Sequence, residues 1–357
     1  MKRFVIGLTF LLAAATSVFA QSNDFQTLAV VKYNKSESIL LKDLKARDSY
    51  VQKVYKQSLP VEMREELLNN MIHEKLLVQA ATKEGITVTD SEVDSSFLNM
   101  FAQGAQITEA QIDEMVKQQY GISLEEYVKM SSGMTIAQFK AYLKTQLISQ
   151  KYVMAKKGNE LRAISASDDE IRKFYEMNKK QFVWDDMAKL FVVVIPKGND
   201  AAKAQSKAVE MKNAYTKDKS VSKTYINSSE NGVAYIAQEF IVAKTEQQAK
   251  QLGWSYDNII ELFGNKVGYI SDIKETDQDF QFYVVLSKYD SKMLGISDIV
   301  QPDTNVTVYE YIKTNLTQQK QAQAFSQAAV DLANALDTPA NVDRKKTGDE
   351  LKALLTW

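Results

Sequence analysis

The chain has 357 residues, of which 45% are apolar and 25% charged, a composition that suffices for two domains with hydrophobic cores. Its 44 basic and 45 acidic residues nearly balance and form no basic block, which argues against nucleic acid as a partner. One histidine and no cysteine exclude disulfides, Ser-His-Asp or Cys-His catalysis and ordinary zinc sites. We therefore predict neither a metal nor a cofactor.

The first twenty residues have the three parts of a bacterial secretory signal peptide. Lys2 and Arg3 give a positive start, residues 4–15 form an apolar run, and residues 18–20 end it at a cleavage position. A membrane anchor is the competing interpretation, but a spanning helix needs about 20 apolar residues. Lipid attachment would need a cysteine, which the sequence lacks. We predict cleavage after Ala20 and a periplasmic protein that is not anchored in the membrane.

The next part of the chain is predicted to be a β-hairpin followed by helices. Residues 28–33 and 38–41 read as strands around a turn at Asn34-Lys35. Helix starts are indicated by the Ser/Thr-x-x-Glu/Gln spacing, in which two side chains satisfy each other's free backbone donors. The pairs are Thr89 with Glu92, Thr108 with Gln111, Ser123 with Glu126, Thr135 with Gln138, and Ser167 with Glu170. Gly85, Gly121 and Gly158 are predicted helix ends. The predicted helices cover residues 43–57, 60–84, 90–102, 109–119, 124–131, 136–157 and 168–179.

The second half of the chain predicts a small α+β domain and a long final helix. Residues 190–195 and 280–287 are apolar runs of strand length, and a helix is predicted between them at residues 201–215. Residues 306–336 carry a broad apolar face typical of a helix, and Pro339 is expected to end this helix. A lone helix of this length needs a docking partner, and the amino-terminal helices are the expected one.

Several segments resemble the SurA-like family of periplasmic chaperones. The matching residues are Leu28 to Val31, Ile39 to Leu44, Leu59-Pro60, Glu66 to Ala81, Gly85 to Val88, Asp90 to Asp94, Ser167 to Phe182 and Tyr309 to Gln323. The resemblance implies an α+β protein whose mainly helical chaperone module combines the amino-terminal helices with the carboxy-terminal helix. It also implies one inserted domain like the parvulin peptidyl-prolyl isomerases. The expected boundaries are 1–20 for the signal peptide, 21–165, 166–291 and 292–357.

The parvulin-like part departs from the pattern of its family. Parvulins carry a histidine in the first strand and another in the last, where this chain has Phe191 or a neighbour and Tyr283. The only histidine, His73, belongs to the other domain and is expected at the surface of a helix. Phe191 and Tyr283 are therefore predicted to be degenerate isomerase positions, and we predict no catalytic residue. An apolar peptide cleft without the polar network of an isomerase is the expected remnant.

A high density of methionine and aromatic residues predicts a peptide-binding surface in the helical domain. Such side chains adapt to varied apolar partners. The predicted binding residues are Phe97, Met100, Phe101, Tyr120, Tyr127, Met130 and Met134. At helical spacing, the alternative is that most of them form core. The acidic segments at residues 185–186 and 272–279 are read as solvated turns rather than calcium ligands, because neither has the spacing of a known calcium loop.

The function that these observations predict is ATP-independent chaperoning of unfolded envelope proteins, above all outer-membrane proteins. The sequence has no glycine-rich phosphate-binding loop, in agreement with work in a compartment without ATP. Two alternatives stay open at this point. One is a prolyl isomerase of parvulin type that works without the histidines, and the other is a dedicated partner of one envelope complex.

Overall fold

The computed structural model describes residues 24–56, 58–102 and 107–357. The predicted signal peptide at residues 1–20 lies outside the described residues. The chain divides into two compact units, one formed by the part up to Ser165 together with Gln318–Trp357, and the other by Ala166–Thr317. Among the described residues, no helix has both the length and the apolar character that crossing a bilayer requires. The fold is mixed α+β, as predicted, with antiparallel sheets.

A three-stranded sheet in the first unit joins the two ends of the described chain. Strands β1 (Thr27–Val31) and β2 (Glu37–Leu40) form the predicted hairpin, and β9 (Val342–Arg344) pairs with the other edge of β1. A short helix near the end, Gly348–Leu354, packs Leu351 into the same core. Neither β9 nor this last helix was predicted. The core under the sheet therefore combines residues from both ends of the sequence.

The helices of the first unit follow the predicted order closely. They are α1 (Leu41–Tyr55), α2 (Val61–Lys83), α3 (Asp90–Ala102), α4 (Glu109–Tyr120), α5 (Leu124–Ser132) and α6 (Ile136–Ala163). Capping boxes are present at Thr108, Ser123 and Thr135, and the Thr89–Glu92 pair makes the same reciprocal bonds. The predicted helix starts at these positions are confirmed.

One predicted helix end is wrong. Gly121 ends α4 with φ of 72°, a left-handed conformation that favours glycine. Gly158 instead lies inside α6, where it is buried, and the helix continues to Ala163. A Cβ at Gly158 would come within 3.2 Å of Arg162 Nη1, so the lack of a side chain provides room for a neighbour on the next turn. The glycine reflects close packing rather than a helix stop.

The second unit is built around a four-stranded antiparallel sheet. Its strands are β4 (Met187–Pro196), β5 (Ile236–Ala243), β6 (Lys274–Glu275) and β7 (Asp279–Tyr289), in the spatial order β5-β4-β7-β6. The predicted strands at 190–195 and 280–287 are confirmed as β4 and β7. One face of the sheet packs on helices Ala201–Lys217 and Val221–Asn227, here α8 and α9. The other face packs on Glu246–Leu252 and Tyr256–Gly264, here α10 and α11.

A smaller core completes the second unit beside this sheet. It is formed by α7 (Asp168–Asn178), the two-residue strands β3 (Val183–Trp184) and β8 (Lys292–Met293), and the first turns of the long helix α12 (Val308–Leu336). Two aromatic side chains of this core also make hydrogen bonds. The Tyr175 hydroxyl donates to the Leu294 carbonyl at 2.9 Å, and the Trp184 indole N–H donates to the Val300 carbonyl.

The long helix α12 contributes to both units along its length. Val308 and Ile312 are buried in the small core of the second unit. Ala333 is buried in the first unit together with Leu77 of α2 and Tyr152 of α6. The part of the helix that joins the first unit begins at Gln318. The segment of α12 that belongs to the first unit is therefore shorter than predicted, since residues 306–336 were expected to dock as a whole.

Candidate functional site

The first unit contains a second hydrophobic core, built by α3, α4, α5 and the start of α6. Helices α4 and α5 have only 12 and 9 residues, lengths at which isolated helices are marginal in water. Packing must therefore stabilise them. The residues buried in this core are Phe97, Ile112, Val116, Leu124, Val128 and Phe139.

A chain of aromatic rings runs from this core to the surface. The ring centroid of Phe97 lies 5.5 Å from that of Phe101, which lies 6.3 Å from that of Tyr127. The ring of Tyr127 in turn lies 5.1 Å from that of Tyr120. Along this path the side chains pass from the completely buried Phe97 to Tyr120, which is 51% exposed. The outer rings are thus held in place by the buried inner ring.

Two exposed methionines lie close to these rings in the sequence. Met100 is 58% exposed next to Phe101, and Met130 is 63% exposed one helical turn after Tyr127. We call the set of Met100, Phe101, Tyr120, Tyr127 and Met130 the Met-aromatic surface. Burying large apolar side chains normally lowers the free energy of a protein, so the exposure of Met100, Tyr120 and Met130 marks a surface that can bind apolar groups.

The structure separates the seven predicted binding residues into two groups. Five of them make up the Met-aromatic surface, in which Met100, Tyr120 and Met130 are exposed and Phe101 and Tyr127 are partly buried against the core. Phe97 is completely buried, so it offers no surface to a ligand and supports the outer rings from beneath. Met134 is partly buried against the same core. The alternative, that residues at helical spacing form core, therefore holds for Phe97 and in part for Phe101, Tyr127 and Met134.

Charged side chains tie the short helices together around this core. Lys140 of α6 places its Nζ 2.7 Å from Glu109 Oε2 and 2.9 Å from Asp94 Oδ1. The hydrogen bonds to Glu109 and Asp94 raise the pKa of Lys140. Asp113 accepts a hydrogen bond of 2.8 Å from the Leu124 backbone N–H, which lowers the pKa of its carboxyl. The surface is therefore carried by helices with fixed relative positions.

A cleft that sequence reasoning missed lies between α1 and α6. It encloses about 510 Å³ and contains Tyr50 and Tyr142, whose ring centroids are 6.0 Å apart. The Arg47 guanidinium lies 4.7 Å from the centroid of Tyr142. Burial raises the pKa of the Tyr142 hydroxyl. Tyr142 follows the buried Phe139 by three positions in α6, and this helical spacing is the only signal in the sequence that points to the cleft.

The two predicted degenerate isomerase positions lie on opposite faces of the β4-β7 sheet. Phe191 is completely buried against α8 and stacks on Tyr215 at 5.3 Å. Tyr283 faces α10 and α11 and pairs across the strands with Val192. Successive side chains in a strand point to opposite faces, so Phe191 cannot share a site with Tyr283. The residue that pairs with Tyr283 and shares its face is Val192, a neighbour of Phe191.

A pocket of about 180 Å³ opens on the Tyr283 face of the sheet. Val192 and Tyr283 belong to its lining, and Trp254 and Tyr269 add two further rings. Burial raises the pKa of the Tyr283 hydroxyl, which also accepts a hydrogen bond of 3.3 Å from the Asn265 amide. Among the described residues, no group of three or more His, Cys, Asp or Glu side chains has the arrangement of a metal site.

The fold and these surfaces define a class of protein with a helical module, split in sequence, that exposes apolar side chains and carries an inserted α+β domain. The family comparison agrees, because residues 4–153 match the model of the SurA-like N-terminal domain. The chain thus carries a SurA-like N-terminal domain, and the resemblance drawn from its sequence is confirmed.

Curated relatives of the chain include two foldase proteins PrsA. That of Clostridium perfringens is 33% identical over 122 residues, 34% of this chain and 31% of the relative. That of Clostridium acetobutylicum is 24% identical over 181 residues, half of each chain. The match therefore spans about a third and a half of the length of these relatives.

Similar solved structures include a SurA-like chaperone of Campylobacter jejuni and PrsA from Bacillus subtilis. The first is 18% identical with a TM-score of 0.35, and the match covers 90% of this chain and 99% of the other. The second is 15% identical with a TM-score of 0.32, and the match covers 93% and 98%.

Proposed function

We propose that this protein is an ATP-independent chaperone that binds unfolded polypeptides in the periplasm after export through its signal peptide. The observation that carries the proposal is the Met-aromatic surface. Its side chains Met100, Tyr120 and Met130 are exposed, while its other rings pack against a core that contains the buried Phe97. Such a surface contacts many apolar sequences weakly, because methionine is flexible and aromatic rings present a large contact area. Binding of this kind needs no nucleotide.

The proposed clients are outer-membrane barrel proteins in their unfolded state. Their strands alternate apolar and polar residues and carry girdles of aromatic side chains, which match a surface built from Phe101, Tyr120 and Tyr127. The relatives named foldase support binding of unfolded chains in general, and the choice of barrel proteins is our proposal.

The test is suppression of aggregation. An unfolded barrel protein is diluted from denaturant at low salt, without nucleotide, with a near-equal amount of the mature chain, and light scattering is recorded. The proposal expects strong suppression by the wild type and clear loss in a Tyr120→Ser, Met130→Ser double variant. Met63→Ser is the matched control, because Met63 of α2 is 49% exposed in the same unit but outside the Met-aromatic surface. Suppression by the double variant equal to that of the wild type would refute the role of this surface.

One alternative, a dedicated partner of one envelope complex, is distinguished by pull-down from the periplasm. A chaperone retains a spread of barrel proteins in amounts that fall with the double variant. One stoichiometric partner, retained equally by the wild type and the double variant, would end the general-chaperone proposal.

A further inference from the structure

The pocket on the Tyr283 face of the second unit has the size of one side chain. It encloses about 180 Å³, whereas pockets for drug-sized ligands span about 300–1,000 Å³. Buried Val192 and the adjoining Tyr283 come from the two central strands of the sheet, and Trp254 comes from the turn between α10 and α11. A pocket anchored on a sheet in this way is preformed, so a side chain can enter without reorganising the domain.

Three aromatic rings line the pocket. The ring centroid of Tyr283 lies 6.4 Å from that of Trp254 and 6.2 Å from that of Tyr269, with interplanar angles of 40° and 51°. Because the rings are tilted toward each other rather than stacked, parts of their faces stay open to the pocket. Ring faces carry negative charge density and attract cations, and groups of two or three rings recognise cationic ligands.

The charged groups of the lining favour the same kind of ligand. Glu261 of α11 and Asp272 contribute carboxylates, and Lys274 of β6 contributes one ammonium. Asp272 is fully exposed, with its Oδ1 3.3 Å from Lys212 Nζ. Glu261 lies on the helix side near Tyr283, where its charge adds to the rise in the pKa of the tyrosine hydroxyl. Because Lys212 offsets the charge of Asp272, the carboxylate of the lining that favours a cationic ligand is that of Glu261.

We propose that this pocket binds an arginine side chain of an unfolded polypeptide, with the guanidinium against the rings of Trp254 and Tyr283 and its charge facing Glu261. Arginine fits better than lysine because its planar group stacks on aromatic faces and is more weakly hydrated. The proposal deepens the chaperone function, since its ligand is a client chain. It gives the second unit a site for basic residues, in addition to the site for apolar residues that we propose in the first unit.

Nuclear magnetic resonance of the tryptophan indole groups tests this inference on the full mature chain. The protein has three tryptophans, so selective nitrogen-15 labelling gives three indole signals, and Trp254→Phe identifies the relevant one. The probe is N-acetyl-arginine amide. N-acetyl-citrulline amide has the same shape without the charge, and N-acetyl-phenylalanine amide represents an aromatic side chain. The expected result is a saturable shift of the Trp254 signal with the arginine probe, at least about fivefold tighter than with either comparison probe.

Charge variants locate the interaction. Glu261→Gln is expected to weaken arginine binding about fivefold, the size of one partly exposed ion pair, and Lys274→Gln to strengthen it. Glu246→Gln is the matched control, because it removes a carboxylate from α10 of the same domain, outside the pocket lining, and should change nothing.

Three results would overturn the proposal: no shift of the Trp254 signal, equal or tighter binding of the citrulline or phenylalanine probe, or loss of binding in Lys274→Gln. This outcome is distinguishable from failure of the chaperone function, because suppression of aggregation is measured separately.

Discussion

Val31 in the opening strand pairs with Val342 near the other end of the chain, and both side chains are buried in one core. The helical module can therefore form its sheet only when the chain has returned from the second unit. Leu351 of the last helix and Leu355 directly after it continue this core.

Truncating Leu355 should destabilise the first unit strongly. Its side chain is completely buried, so Leu355→Ala removes apolar contacts and leaves a cavity, and the free energy of unfolding should fall by about 2–4 kcal/mol. Urea denaturation followed by circular dichroism measures it. Lys352→Ala, at an exposed position of the last helix, is the control and should change the free energy of unfolding by less than about 0.5 kcal/mol. Equal effects of the two substitutions would show that the end of the chain is not part of the core.

Substitutions of Phe97 and Met100 should have opposite effects on stability and on chaperone activity, although the two residues are only three positions apart. Phe97→Ala should lower the free energy of unfolding by about 3–5 kcal/mol, because the ring is buried and contacts Phe101 and Phe139. Met100→Ser should change stability by less than about 0.5 kcal/mol, because its side chain is exposed. In the aggregation assay only Met100→Ser should lose activity while fully folded. A large loss of stability in Met100→Ser would show that this side chain belongs to the core.

Glu92 should titrate far below its usual range. The carboxylate accepts hydrogen bonds from the Lys151 ammonium and from the Thr89 backbone N–H, and these bonds lower its pKa from 4.5 to about 2. A carboxyl whose pKa is lower in the folded state adds stability above the unfolded value, and the contribution disappears as the pH falls from about 4.5 to about 2. Titration of the Glu92 carboxyl carbon by nuclear magnetic resonance measures this pKa directly. Lys151→Gln should raise it, and a wild-type value near 4.5 would contradict the interaction.

The chain should not accelerate prolyl isomerisation. Val192 and Tyr283 occupy the paired positions on the pocket face, and neither supplies the polar network that stabilises a twisted amide. A protease-coupled assay on a proline tetrapeptide should give the uncatalysed rate at all concentrations of the protein. Acceleration that disappears in Tyr283→Phe would instead show an isomerase that uses this hydroxyl.

The features that could be predicted from the sequence are those with local causes. The capping pairs at Thr108, Ser123 and Thr135 act within one turn, so they fix helix starts without any tertiary contact. Strand β9 has three residues and gains its stability from pairing with β1, which no local pattern indicates. The face on which Phe191 lies could not be predicted for a related reason. A continuous apolar run such as Leu190 to Ile195 is buried on both faces, so it does not show which residues share a face.

The candidate site was predicted in part for the same reasons. Met and aromatic residues at helical spacing indicate an apolar cluster, and the sequence located this cluster correctly in α3 to α5. It could not separate the buried Phe97 from the exposed Met100, because that difference depends on how α6 covers the other helices. The pocket beside Tyr283 was predicted only as a remnant cleft, since Trp254 and Tyr269 join it through tertiary packing.

Site-specific photo-crosslinking tests the central claim most directly. Benzoylphenylalanine is placed at position 120 or 130 in the Met-aromatic surface, or at position 63 as the control, and each variant is mixed with an unfolded barrel protein and irradiated. The account predicts strong crosslinks to several different barrel proteins from positions 120 and 130, and little from position 63. Equal crosslinking from all three positions, or none from positions 120 and 130, would contradict it.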